Sequence, residues 1–183
     1  MDVRTTTALH SRSQVTVRDR GALWAHGLLC ARVLNTSLCV THLNPHSGRS
    51  RLQEARAIVR RLPSPPESFM LMGDLNTLSP LDRREHEAQA LVRVINEGKY
   101  AGALAAKFLD SRREAVDYGP MQALLEAPLH DVAASSGTRA AGREGGAGGG
   151  GGESVPTSIN ADKMHFTKLR LDYCLVNDAL LDS

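Results

Sequence analysis

Aromatic side chains are scarce: Phe, Tyr and Trp make up 4% of the 183 residues. A core built from this chain therefore rests on Leu, Val, Ile and Ala, and nucleic-acid recognition chiefly by base stacking is not supported. Trp24, the one tryptophan, is expected in the core rather than as a stacking platform. Cysteine is sparse as well. Cys30, Cys39 and Cys174 are scattered and form no C-x-x-C pair, so neither a disulfide framework nor a cysteine zinc site is expected, and a reducing, intracellular compartment is the default. No apolar run approaches the roughly 18 residues of a membrane span. Residues 1–20 lack the apolar segment of a secretory signal. Charge of one sign is not in excess either. A formal net charge of +2 and a pI of about 8.6 suit an anionic substrate but are too mild to mark a nucleic-acid binder.

Against these absences stands one dense stretch, Phe69-Met70-Leu71-Met72-Gly73-Asp74-Leu75-Asn76. A short apolar run bounded by turn residues predicts a strand buried on both faces. Gly73 permits a bend or a close approach where the strand ends. In an extended chain Asp74 and Asn76 point the same way, so a carboxylate and a carboxamide would emerge together. Such a pair suits a hard cation, a water and a phosphate oxygen; the same residues also make ordinary turns.

The rest of the chain reads as one domain. Residues 1–20 show no periodicity and are expected to be a poorly ordered arm, with the domain itself over 21–183. Leu28 to Leu43 predicts a β-hairpin turning near Asn35-Thr36. Pro45 holds Asn44 away from helix, which leaves His42 at or just past a strand end. Ser47 to Leu62 predicts a helix with Leu52, Ala55, Ile58, Val59 and Leu62 at helical spacing, ended by Pro63, Pro65 and Pro66. Arg49, Arg51, Arg56, Arg60 and Arg61 decorate its other sides, where a solvated face is expected and contact with phosphates is the alternative. Strand, helix, strand in this order implies an α/β layering. Helices are expected over 87–95, 101–108 and 120–126, with Gly98 a break and Pro120 a helix start. Leu129 to Val132 reads as a short extended piece, and the glycine-rich insert at 139–153 as a flexible loop. In Leu169 to Val176 alternation puts Leu171, Tyr173 and Leu175 on one face, with Arg170, Asp172 and Cys174 on the other.

Thr41-His42-Leu43, then Gly73-Asp74-Leu75-Asn76, then Arg170-Leu171-Asp172-Tyr173 is an order that resembles the endonuclease/exonuclease/phosphatase superfamily. These are metal-dependent hydrolases that include abasic-site endonucleases, secreted deoxyribonucleases, deadenylases and phosphoinositide phosphatases. The arginine-rich helix between the first two motifs and Val155-Pro156-Thr157 ahead of the third add to the resemblance, which runs from about Leu28 to about Leu181. It implies a two-sheet β-sandwich flanked by helices, four layers in all. It also implies a Mg2+-dependent phosphoester hydrolase, with Mn2+ an alternative metal, acting on nucleic acid or another phosphoester. By residue, it implies that Asp74 orients or deprotonates the attacking water beside the metal. Asn76 would bond a non-bridging phosphate oxygen and stand at the metal, and His42 would stabilise charge on the phosphate. Asp172 would polarise a second histidine.

The departures are specific. Family members place a metal-binding glutamate on a strand well before the motif matched by Thr41-His42-Leu43, and finish with Ser-Asp-His on a last strand. Neither pattern is found, and family domains run to roughly 250 residues. The expectation is an incomplete domain with reduced activity, or a degenerate member that binds a phosphorylated ligand or a protein.

Overall fold

A computed structural model describes residues 13–18, as backbone only, and 23–134, 156–157 and 169–181 with their side chains. Six strands form one mixed sheet in the order β1-β2-β3-β4-β6-β5. They are β1 (Ser13–Arg18), β2 (Leu28–Val33), β3 (Thr36–Thr41), β4 (Ser68–Asp74), β5 (Leu129–Asp131) and β6 (Asp172–Asn177). The expected hairpin is β2–β3, antiparallel with Leu28 opposite Thr41 and Val33 opposite Thr36; its turn falls one residue earlier than expected, at Leu34 and Asn35. Part of the expected arm is also a strand, because Ser13–Arg18 pairs along its whole length with β2. The insert at 139–153 lies outside the described residues.

β3 connects to the parallel strand β4 through helix α1 (Gly48–Val59), the α/β unit foreseen from strand-helix-strand order. Ser47 caps α1 by accepting the Ser50 N–H at 3.2 Å, an N-terminal donor that would otherwise be unpaired. α1 packs with α5 (Gly119–Leu125), whose first turn holds Pro120, where a missing N–H does no harm. Together they cover one face of the sheet. Ala55, Ile58, Met121 and Leu124 meet Leu28, Phe69, Leu71, Tyr173 and Leu175 in a continuous core that includes Trp24. Full burial of each large aliphatic here contributes about 1.5–3 kcal/mol. A second cluster joins α3 (Leu91–Glu97) and α4 (Ala101–Phe108) to Leu78, Leu169 and Leu171.

Three expectations are corrected by this packing. The helix expected over 87–95 is two, α2 (Arg83–Ala88) and α3, because Ala90 adopts a left-handed conformation at φ 48° and breaks the ladder. β4 is not buried on both faces: Phe69 and Leu71 are buried, while Met70 and Met72 are only half-buried. On that second face Leu29 and Val40 are exposed, so the sheet has one covered face and one that presents apolar side chains. Cys30 and Cys39, directly opposed across β2 and β3, are joined in a disulfide, which sequence spacing could not indicate without the register. The short helix α6 (Asp178–Leu181) ends the described chain. Among the described residues no helix is long and apolar enough to cross a membrane.

Gly73 is where the sheet has least tolerance. Its φ is +135°, and a Cβ added there would lie 2.0 Å from the Thr41 carbonyl oxygen. Both the conformation and the contact with neighbouring backbone forbid a side chain. Gly73→Ala is therefore expected to lower the unfolding free energy by about 3 kcal/mol or more, read by urea denaturation; a change under about 1 kcal/mol would contradict this account.

Candidate functional site

The topology brings four segments to one edge of the sheet. β3 and β4 are parallel and end there at Thr41 and Asp74, while the antiparallel strands β2 and β6 start there at Leu28 and Asp172. His42 follows β3, Asp74 ends β4, Asp172 begins β6 directly opposite Asp74, and His26 precedes β2. Backbone bonds bind the segments beyond the strands. Leu43 N–H donates to the Asp74 carbonyl at 3.0 Å, and Leu75 N–H to the Leu171 carbonyl at 2.8 Å.

Asp74 is half-exposed and its two carboxylate oxygens are differently engaged. Oδ1 accepts the Asn76 N–H at 2.8 Å, and Oδ2 lies 3.6 Å from His42 Nε2. That second distance is an ion-pair separation, too long for a direct hydrogen bond. The His42 ring stacks on His26 with centroids 4.1 Å apart and planes at 12°. His26 Nδ1 sits 3.2 Å from the His42 carbonyl oxygen. A carbonyl only accepts, so this nitrogen is the donor of the contact.

Asn76 departs from the expected arrangement. The chain is no longer extended there: Asn76 has a left-handed φ of 48°, and it is 2% exposed, with Nδ2 donating to the Leu43 carbonyl at 3.1 Å. Side-chain alternation therefore does not carry past Asp74. The carboxylate faces outward, while the carboxamide is used at least in part to tie the end of β4 to the segment after β3.

Asp172 is exposed and its N–H donates to Thr157 Oγ1 at 3.1 Å, which also accepts the Leu171 N–H at 2.9 Å. Thr157 N–H in turn donates to the Leu169 carbonyl at 3.0 Å. Arg170 was expected on the face of Asp172 but is buried. Its guanidinium bonds both oxygens of Asp82 at 3.0 Å and stands 2.6 Å from Asp131 Oδ2. Burial holds the Asp82 carboxyl above its ordinary range, a shift that Arg170 opposes without cancelling. Tyr173, with its hydroxyl donor shared between the Thr77 and Arg170 carbonyls, seals the same region.

Beneath the edge lies a charged group that motif reading missed. Glu54 is fully buried; Oε1 accepts the Ala25 N–H at 2.8 Å and Oε2 the Asn44 N–H at 2.7 Å. Arg51, expected on a solvated side of α1, is 1% exposed. It donates to the Asn44 carbonyl at 2.8 Å and, by a very short contact, to the Lys107 carbonyl. Burial lowers its pKa to about 10, against the opposing pull of Asp117, Glu54 and Asp74, so it is charged at neutral pH. Lys107 is 5% exposed, and burial lowers its pKa too, opposed by the nearby Asp74 charge and assisted by Arg51. A signal was present. Arg51, Glu54, Ala55 and Ile58 share i, i+3, i+4, i+7 spacing on α1, and Leu104, Lys107 and Phe108 share i, i+3, i+4 on α4, which puts these charges on apolar stripes. Nothing in the sequence marks His26.

The donor set can be tested against a magnesium ion, which takes octahedral oxygen ligands and keeps several waters. Among the described residues no group of three or more His, Cys, Asp or Glu side chains is placed to hold a metal. Asp74 and Asp172 are the carboxylates at the edge, and they do not complete a site by themselves. No protein-family model matches the chain, and no curated protein matches it either.

The burial of Arg170 generates a prediction. Arg170→Met strands two buried carboxylates and should cost about 3–5 kcal/mol of stability, with Asp82→Asn and Asp131→Asn added to it recovering part of the loss. Chemical denaturation of the single and triple variants checks this; a stable Arg170→Met protein with impaired phosphate binding would instead make Arg170 a ligand contact.

Proposed function

We propose that this chain is a phosphoester hydrolase of the endonuclease/exonuclease/phosphatase type, acting with magnesium or manganese. The single observation that carries the reading is the meeting of His42 and Asp74, 3.6 Å apart, at the shared edge of parallel strands. Asp172 begins the neighbouring strand there. A phosphodiester resists attack because its own charge repels nucleophiles, so its hydrolysis needs an aligned water, a proton acceptor and donors for the growing charge. Asp74 Oδ2 is the acceptor free to orient a water and take its proton. His42 Nε2 is the donor for a phosphate oxygen, held at its angle by the stacked His26. Asn76 acts from behind by fixing the Asp74 segment against Leu43.

A divalent ion in this site would supply charge on the phosphate and a more acidic water. Asp74 is the residue that would hold it, with Asp172 opposite and the Asn76 carboxamide a further candidate. The rest of its ligand set is not supplied by the described residues. The implied four-layer sandwich is supported by the second sheet face, where among the described residues Leu29 and Val40 are exposed and Met70 and Met72 half-buried, an apolar surface that a second sheet would cover. The substrate is a phosphoester, with nucleic acid one class of it.

One observation favours a second reading. The incomplete donor set fits a degenerate member that binds a phosphorylated ligand without cleaving it. Hydrolysis of bis(p-nitrophenyl) phosphate separates the two. The hydrolase reading predicts turnover that needs magnesium or manganese, stops on chelation, and falls roughly a hundredfold or more in Asp74→Ala. No turnover with either metal, or turnover that Asp74→Ala leaves unchanged, would overturn it.

A further inference from the structure

We propose that Lys107 is the phosphate-contacting cation of this site, donating from Nζ to a non-bridging oxygen of the phosphoryl group that Asp74 and His42 face. The inference rests on the phosphoester reading above and adds a residue that none of the three motifs contains.

Lys107 lies on α4 between Leu104, Ala105 and Phe108, all buried, and is itself 5% exposed. Its Nζ stands 4.9 Å from the Phe108 ring centroid. Among the described residues none accepts a hydrogen bond from that nitrogen or pairs with its charge. The Lys107 stem is buried against those neighbours, but Nζ is not among the buried polar atoms left without a partner; it keeps contact with solvent, where an anion can reach it. Arg51 lies alongside, bonded to the Lys107 carbonyl, and its Nε is buried without a partner. Two cations thus stand together within electrostatic reach of Asp74.

Each neighbouring carboxylate has at least one oxygen bonded to a backbone N–H, and none is paired with Lys107. Both Glu54 oxygens take backbone N–H groups, Asp117 Oδ1 takes the Gly119 N–H at 2.9 Å, and Asp74 Oδ1 takes that of Asn76. A lysine placed for structure alone would be expected to close one of these pairs. Lys107 stands instead as a compact charge for an anion with several equivalent oxygens, which describes a phosphoryl group.

The test uses the full chain and inorganic phosphate as probe. Wild type, Lys107→Gln and Lys107→Arg are compared for thermal protection by phosphate, against sodium chloride at matched ionic strength. Lys107→Gln should weaken phosphate binding roughly ten- to a hundredfold, the effect of one charge-assisted hydrogen bond, and Lys107→Arg should restore part of it. In wild type, carbon-13 NMR of lysine Cε provides a readout that does not depend on the variants folding. Phosphate should shift one lysine signal well beyond the others, and that signal should be missing from Lys107→Arg. Undiminished phosphate binding in a folded Lys107→Gln, or a Lys107 signal indifferent to phosphate, overturns the proposal. Hydrolysis of bis(p-nitrophenyl) phosphate that is unaffected in Lys107→Gln also overturns it while the hydrolase reading stands. Lys107-dependent phosphate binding without any hydrolysis supports the proposal and removes the hydrolase reading.

Discussion

The buried carboxylate of Glu54 is the constraint on which the edge of the sheet depends. It is the only group that bonds both the segment entering β2, through Ala25, and the segment leaving β3, through Asn44, among the hydrogen bonds of the described residues. His26 and His42 each lie within two residues of one of those anchors. A buried carboxylate is stable only when its oxygens are satisfied and its charge is answered. Two backbone N–H groups do the first, and Arg51, one helical turn away on α1, does the second. The stacked imidazoles are thereby held to a helix rather than left on mobile loops.

This arrangement gives the edge an asymmetric electrostatic character. Asp74 and Asp172 present acceptors at the edge, while Arg51 and Lys107 place two cations within electrostatic reach of Asp74. A site that must align a water and also receive an anion needs both kinds of group within a few ångströms. Arg170 serves a different end. The triad it forms with Asp82 and Asp131 fixes the start of β6 from beneath, so the arginine of its motif works in the scaffold.

Much of the scaffold was legible. Pro120 as a helix start and the hairpin of β2 and β3 both follow from local chemistry, and each appears within a residue of its expected place. Gly73 was also readable as a point of close approach. Several of the failures share one cause, which is that they depend on partners distant in sequence. The Cys30–Cys39 link needs the hairpin register. Arg51 reads as a solvated arginine until Asn44 and the Lys107 carbonyl are brought to it, and Arg170 reads as outward until Asp82 and Asp131 are. For Asn76 the failure was local: alternation was extended past the end of β4 into a left-handed residue. His42 and Asp74 were legible as candidates, but their proximity is a product of the parallel pairing of β3 and β4.

The most direct test of the claim that Glu54 organises this edge is Glu54→Gln, followed by imidazole NMR and urea unfolding. Glutamine has nearly the same shape, but its amide turns an N–H toward a backbone N–H and removes the charge that answers Arg51. The account predicts a loss of about 2–4 kcal/mol and coupled changes in the signals of His26 and His42. Unchanged stability together with unchanged histidine signals would contradict it.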